Sequence, residues 1–334
     1  MTEPVTSEPQ PRWPFRIARV LLLLLIVLAA AGMIYENIAE VRDRRFNQPA
    51  GQLVHVGGRN MHIDCSGQGG PAVILDSGLG DSYLSWRKVQ PEIAKFTRVC
   101  SYDRAGIGYS EPSPSPRTAR VIAEELHALL QAANIPPPYV LVGHSMGGFD
   151  VRLYYSLYRK EVAGIVLVDS SHPDQENRLP AEVKKMQASG LREAEFLDYA
   201  MLFGIPRLVG LCEDDPVERA AECNFHTDHE AIKEMRARSQ SAQQVAAAGN
   251  LDDLPLAVLS HDPEKPSAEL PPELAKTTNE AWEKMQEELA RLSTRGTQTI
   301  AKGSAHYIQL DRPDVVVAAV RNVWEQAQPP GAVN

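Results

Sequence analysis

The chain has 334 residues, 43 of them acidic against 34 basic, and a formal net charge of −9 at pH 7. That length supports one large single-core domain with an insertion, or two small domains. No basic block occurs beyond "RDRR" at Arg42 to Arg45, which excludes recognition of a nucleic-acid phosphate backbone.

Residues 1–16 are polar and proline-bearing and read as a disordered cytoplasmic tail. From Val20 to Tyr35 the sequence is uninterruptedly apolar, preceded by Arg12, Arg16 and Arg19. A soluble surface helix would alternate its faces; this run does not. With Ile17, Ala18 and a snorkelling Arg19, the segment 17–37 approaches the roughly 20 residues that cross a bilayer. The positive start, apolar middle and small residues Ala29 to Gly32 also fit a cleaved leader. The expectation is an uncleaved single-pass anchor in the cell membrane, carrying an extracytoplasmic catalytic domain over 50–334. A secreted protein, freed by cleavage, is the alternative. Arg42, Arg44 and Arg45 follow the run and blunt the charge asymmetry that sets orientation.

Strand patterns begin at Gln52 with "QLVHVGG" and "RNMHIDCSG", joined by Gly57-Gly58 as a hairpin, followed by the buried run "PAVILDSG". A helix around Trp86 to Phe96, a strand "RVCSYD" and a helix "ARVIAEELHALLQAAN" come next. "YVLVGHSMGGFD", Tyr139 to Asp150, turns from an apolar strand into a serine between glycines, and the following "FDVRLYYSLYRK" has helical spacing. Ser145 is thereby placed on a strand-to-helix turn, the G-x-S-x-G nucleophile elbow. After the strand "VAGIVLVDS", residues from about 171 to 250 are helical and charged without a strand, a cap inserted before "LPLAVLS" resumes the sheet. In "EAWEKMQEELARL", Trp282, Met285 and Leu289 form the buried stripe of a helix. A strand "TQTIAKG" and helix "PDVVVAAVRNVWEQA" close the domain. Strands alternating with helices predict a mainly parallel sheet covered on both faces.

In this order the chain resembles the α/β-hydrolase fold over about Leu53 to Gln328. The resemblance rests on "GHSMGG", on "VILDSGLGDSYLSW" at the oxyanion loop, on "YDRAGIGYS", and on "KGSAHYIQLDRP", similar to the segment carrying the catalytic histidine. It implies a mostly parallel eight-stranded sheet with a helical cap after the sixth strand. It also implies a triad of Ser145, His306 and an acid. The usual His-Gly of the oxyanion loop is Ser77-Gly78 here, but the oxyanion donors are main-chain N–H groups, expected from Leu79 and Met146. For the acid, the residues leave Asp262 and Glu264 after one strand and Asp169 after the preceding one. "VLVDSSHPDQ" resembles a bacterial membrane-associated branch with the acid at the earlier position, so Asp169 is expected and Asp262 is the alternative. The resemblance further places the second strand beside the fourth, which brings Cys65 next to Cys100. Cys212 and Cys223 are expected to close a short loop in the cap.

His144 reads as packing and Arg104 as an anchor of its own loop. Cys223, His226 and His229 have short ligand spacings in "CNFHTDH", but the spacing from Cys212 matches no zinc-finger pattern, and no phosphate or metal motif suggests a cofactor. The expected function is hydrolysis of a small-molecule carboxylic ester through an acyl-enzyme. Other acyl hydrolases (peptidase, thioesterase, lipase) and a non-catalytic binding protein on the same fold are the alternatives.

Overall fold

A computed structural model describes residues 13–265 and 270–328. The chain opens with α1, Trp13–Phe46, a single 34-residue helix. Of the polar tail read from the sequence, residues 1–12 lie outside the described residues, and Trp13 to Arg16 already belong to this helix. The antiparallel hairpin follows as β1, Gln52–Val56, and β2, Arg59–Ser66. Its turn residues Gly57 and Gly58 have φ of 57° and 88°, a pair of left-handed positions that glycine adopts without a Cβ penalty.

β3, Ala72–Asp76, is buried throughout. The helix expected around Trp86 to Phe96 is broken into a 3-10 turn, Tyr83–Trp86, and the single-turn α2, Gln90–Ile93. Pro91 explains the break: without an N–H it fits only the first turn of a helix, so it restarts the helix there. β4, Val99–Tyr102, leads to α3, Ala119–Ala132, then β5, Tyr139–His144, α4, Gly147–Leu157, and β6, Val162–Val168.

The segment between β6 and the next strand is helical. It comprises α5, Gln175–Arg178, α6, Ala181–Leu202, α7, Ile205–Leu208, α8, Pro216–Glu222, and α9, Phe225–Ala246. The chain then returns through β7, Leu256–His261, α10, Pro272–Ala290, β8, Gly296–Ala301, the single-turn α11, Ile308–Asp311, and α12, Pro313–Gln326.

The eight strands form one sheet in the order β1-β2-β4-β3-β5-β6-β7-β8, parallel from β4 to β8. Adjacent residues in the central strands serve opposite faces, as a period of two requires. Ile74, Leu141 and Ile165 pack with Leu126 of α3 and Phe149 of α4. Val73, Val140 and Val166 pack instead with Trp86, Ile93 and the Val316, Val320 and Val323 stripe of α12. These two layers explain why β3, β5 and β6 are continuous Val, Ile and Leu runs.

Cys65 and Cys100 stand directly opposite each other in β2 and β4, 4.1 Å apart at Cα, and are disulfide-bonded. Cys212 and Cys223 are bonded across the loop that leads into and through α8.

Candidate active site

The ends of four successive strands converge at one edge of the sheet. Ser145 follows β5, Asp169 follows β6, His261 ends β7, and His306 lies in the loop after β8. In open α/β sheets this carboxyl edge is where ligands bind.

Ser145 has φ of 51°, the left-handed region that a non-glycine residue enters at a cost. The turn is held by Ser145 N donating to Val168 O at 3.1 Å and Ser145 O accepting from Ser171 N at 2.9 Å. The flanking glycines are required by contact. A Cβ on Gly147 would lie 2.6 Å from Ser77 O, and one on Gly143 would lie 2.6 Å from Gly147 O.

Asp169, also at positive φ (41°), is fully buried, and donors surround its carboxylate. Oδ2 lies 2.6 Å from His306 Nδ1. Oδ1 accepts from Trp282 Nε1 at 2.9 Å and from the His261 backbone N–H at 3.1 Å. His261 Nδ1 is 3.0 Å from both carboxylate oxygens. Burial alone would raise the Asp169 pKa. The hydrogen bonds and charges of His261 and His306 outweigh it and hold the carboxyl well below the usual range. An ionised carboxylate has no proton to give, so each Nδ1 facing it carries one. In the neutral form of His306 the acceptor nitrogen is then Nε2. For His261, burial pulls the pKa down but the Asp169 hydrogen bond and charge raise it overall.

Asp262, the alternative acid, makes no hydrogen bond to His306. Its Oδ2 accepts from Gly303 N at 2.8 Å and its Oδ1 from Glu264 N at 3.1 Å, so it fastens the turn three residues ahead of His306. His144 is buried, and burial lowers its pKa, leaving a neutral ring. It does more than pack: Nε2 donates to the His306 carbonyl oxygen at 3.2 Å, tying the histidine loop to the residue before Ser145.

On the other side of Ser145, the backbone amides of Leu79 and Met146 donate to no backbone carbonyl among the described residues. Arg104 fixes the loop carrying Leu79. Its Nη1 donates to Ser77 O at 2.7 Å and to Asp76 Oδ1 at 3.0 Å, and its Nη2 to Gly78 O at 2.5 Å. In a trans peptide the C=O and the next N–H point oppositely, so a Gly78 carbonyl turned to Arg104 turns the Leu79 N–H away from it. The same guanidinium holds Glu234 of α9 through Nε at 2.8 Å and Nη2 at 2.9 Å. Arg104 thus joins the loop to the helical insertion, beyond the local anchoring expected of it.

His261 and Trp282 were not legible as site residues. Trp282 reads as part of an apolar stripe, yet it is half-buried with its indole N–H on Asp169. A histidine at the end of "LAVLSH" gives no signal of its own, because its partner lies 92 positions away. In "CNFHTDH", Cys223 is disulfide-bonded, Asn224 caps α9, and His229 pairs with Asp198 at 2.9 Å.

The α/β-hydrolase fold family matches residues 71–199. The chain has the α/β-hydrolase fold. A thermophilic esterase from Thermogutta terrifontis superposes with a TM-score of 0.57 at 20% identity, covering 83% of this chain and 99% of that one. The epoxide hydrolase CorEH superposes with a TM-score of 0.61 at 17% identity, covering 83% and 99%. The uncharacterized protein YqjL of Bacillus subtilis (strain 168) is 27% identical over 274 residues, 79% of this chain and 88% of the relative. Within the α/β-hydrolase fold, Ser145 occupies the turn after β5, and the insertion between β6 and β7 forms the cap.

Proposed function

We propose that the chain is a serine hydrolase that cleaves carboxylic esters through an acyl-enzyme, with Ser145 as nucleophile, His306 as base and Asp169 as acid. The observation that carries this reading is the 2.6 Å contact of His306 Nδ1 with the buried carboxylate of Asp169, beside a serine held at positive φ.

A serine hydroxyl attacks slowly until a base takes its proton. His306 Nε2 accepts that proton as Ser145 Oγ bonds to the carbonyl carbon, and Asp169 stabilises the imidazolium that forms. The carbonyl oxygen becomes an oxyanion, which the Leu79 and Met146 amides receive; Met146 also stands at the N-terminus of α4, where the helix dipole favours negative charge. Collapse breaks the ester C–O bond, and His306 returns the proton to the departing alcohol. Water then attacks the acyl-enzyme by the same path and releases the acid. A serine at the elbow argues against chemistry that starts from an aspartate nucleophile.

The apolar part of α1 supports an anchoring role. Over Phe15–Phe46 an 18-residue window has mean hydropathy 2.7 and is not buried against the rest of the chain. A surface of that kind is stable in hydrocarbon rather than in water. The membrane is then the partner of α1, and a small-molecule ester the partner of Ser145 and His306.

Hydrolysis of short p-nitrophenyl esters by the full chain tests the chemistry. Ser145→Ala is expected to abolish turnover while leaving the fold intact. Retention of most of the activity by purified Ser145→Ala protein overturns the assignment.

A further inference from the structure

The cap carries an apolar edge that the ester chemistry does not use. Between Phe196 and Leu211, the large side chains Phe196, Tyr199, Ile205, Leu208, Val209 and Leu211 are exposed, from 46% at Ile205 to 73% at Phe196. The only charged residues in this stretch are Asp198 and Arg207, and both turn inward. Asp198 accepts from His229 of α9. Arg207 is bonded to Glu36 and Asp43 of α1 and to the Cys223 carbonyl. The outward face of a sixteen-residue stretch, 196–211, is therefore without charge, while Glu193 and Glu195 precede it and Glu213 to Asp215 follow it. An exposed apolar patch with a charged border marks a binding surface.

The position of this edge is set by α1. The space that a side chain at Gly32 would fill is occupied by Phe203 O, 2.6 Å from the would-be Cβ, and that of Gly204 is bounded by Tyr35 and Glu36 at 3.0 and 3.1 Å. Residues 203 and 204 are thus level with the last turn of the Val20–Tyr35 run. At a rise of about 1.5 Å per residue, Gly32 lies about 4.5 Å inside the end of that run, while Tyr35 and Glu36, which bound Gly204, stand at the end itself. The interfacial layer of a bilayer extends about 5–7 Å beyond its hydrocarbon on each side. The buried Arg207, Glu36 and Asp43 contacts fix the helix against the cap, so the depth of one sets the depth of the other.

We propose that the cap edge Phe196–Leu211 is seated in the interfacial layer of the bilayer that α1 crosses, which places the cap of the enzyme against lipid. This rests on the anchoring role of α1. Tyr199 and Phe196 suit that layer, where aromatic rings concentrate.

Site-directed spin labelling of the full chain in phosphatidylcholine nanodiscs tests it. Single cysteines Leu24→Cys, Val209→Cys and Asn322→Cys are labelled with a nitroxide; the native cysteines are paired and do not compete. Collision with oxygen, which partitions into lipid, is compared with collision with a water-soluble nickel chelate. The expected result is an oxygen-to-nickel ratio at Val209 shifted from that of Asn322, an exposed α12 position, toward that of Leu24. Leu208→Cys is the second reporter on the same edge if Val209→Cys does not fold. A lipid-like ratio at Leu24 with an Asn322-like ratio at Val209 and Leu208 overturns the proposal and leaves the edge as a surface for a protein partner. A water-like ratio at Leu24 overturns the anchoring role of α1 itself.

Discussion

His261 faces Asp169 from the end of β7, its Nδ1 3.0 Å from both oxygens of the carboxylate that His306 also engages. Two imidazoles on one buried carboxylate divide the work: His306, 43% exposed at its side chain, is open to a substrate, while His261 is mostly enclosed. In the proposed reaction His261 would act through Asp169, as a positioning residue. A hydrogen bond to a charged group contributes about 1.5–3 kcal/mol. His261→Ala is expected to lower stability by about that amount in urea denaturation and to reduce kcat with little change in KM. Unchanged stability and kcat would show that the contact is incidental.

The two aspartates separate by role. Asp169→Asn replaces an acceptor with a group that favours the wrong tautomer of His306, a change expected to cost on the order of 10⁴ in kcat. Asp262→Asn keeps an oxygen for the Gly303 amide and loses the Lys302 ion pair, so its effect on kcat is expected to be far smaller. Steady-state kinetics with one ester gives the ordering, and the reverse ordering moves the acid to Asp262.

The Asp169–His261 pair also predicts a pH window for stability. Asp169 is held below its ordinary value of 3.8, so its contribution is full above pH 3.8 and is lost as the pH falls toward its folded pKa. His261 is held above its ordinary value of 6.5, so its contribution is full below pH 6.5 and is lost as the pH rises through its folded pKa. The Tm difference between the wild-type chain and Asp169→Asn is expected to be largest between those two values and to shrink on both sides. A difference that is flat with pH contradicts the pairing.

Arg104 bridges the loop carrying Leu79 and the cap, with Asp76 and Glu234 as its buried partners. Lysine cannot reproduce five donors in a planar fork. Breaking a buried pair of this kind costs about 3–5 kcal/mol. Arg104→Lys is expected to lower stability toward that range and to reduce kcat further than stability alone explains, because the Gly78–Leu79 peptide loses its tether. Thermal unfolding and kinetics below the transition separate the two effects.

Much of the fold was legible because it rests on local patterns. The hairpin at Gly57-Gly58, the elbow at Ser145 and the alternation of buried strands with helices are each written within a dozen residues. The pairing of Cys65 with Cys100 needed the strand order, which the resemblance supplied. What escaped the sequence depends on tertiary neighbours. His261 and Trp282 are ordinary residues until β7 and α10 bring them to Asp169. The helix around Trp86 fails because Pro91 interrupts a pattern that is otherwise apolar at helical spacing. The inward turn of Asp198 and Arg207 likewise has no local sign, since their partners are His229 in α9 and Glu36 and Asp43 in α1.

Reaction of the full chain with a fluorophosphonate, followed by peptide mass spectrometry, tests the nucleophile and its activation together. A stoichiometric adduct is expected on Ser145, absent in Ser145→Ala and formed much more slowly in His306→Ala. An adduct on another residue, or none on a folded wild-type chain, would contradict it.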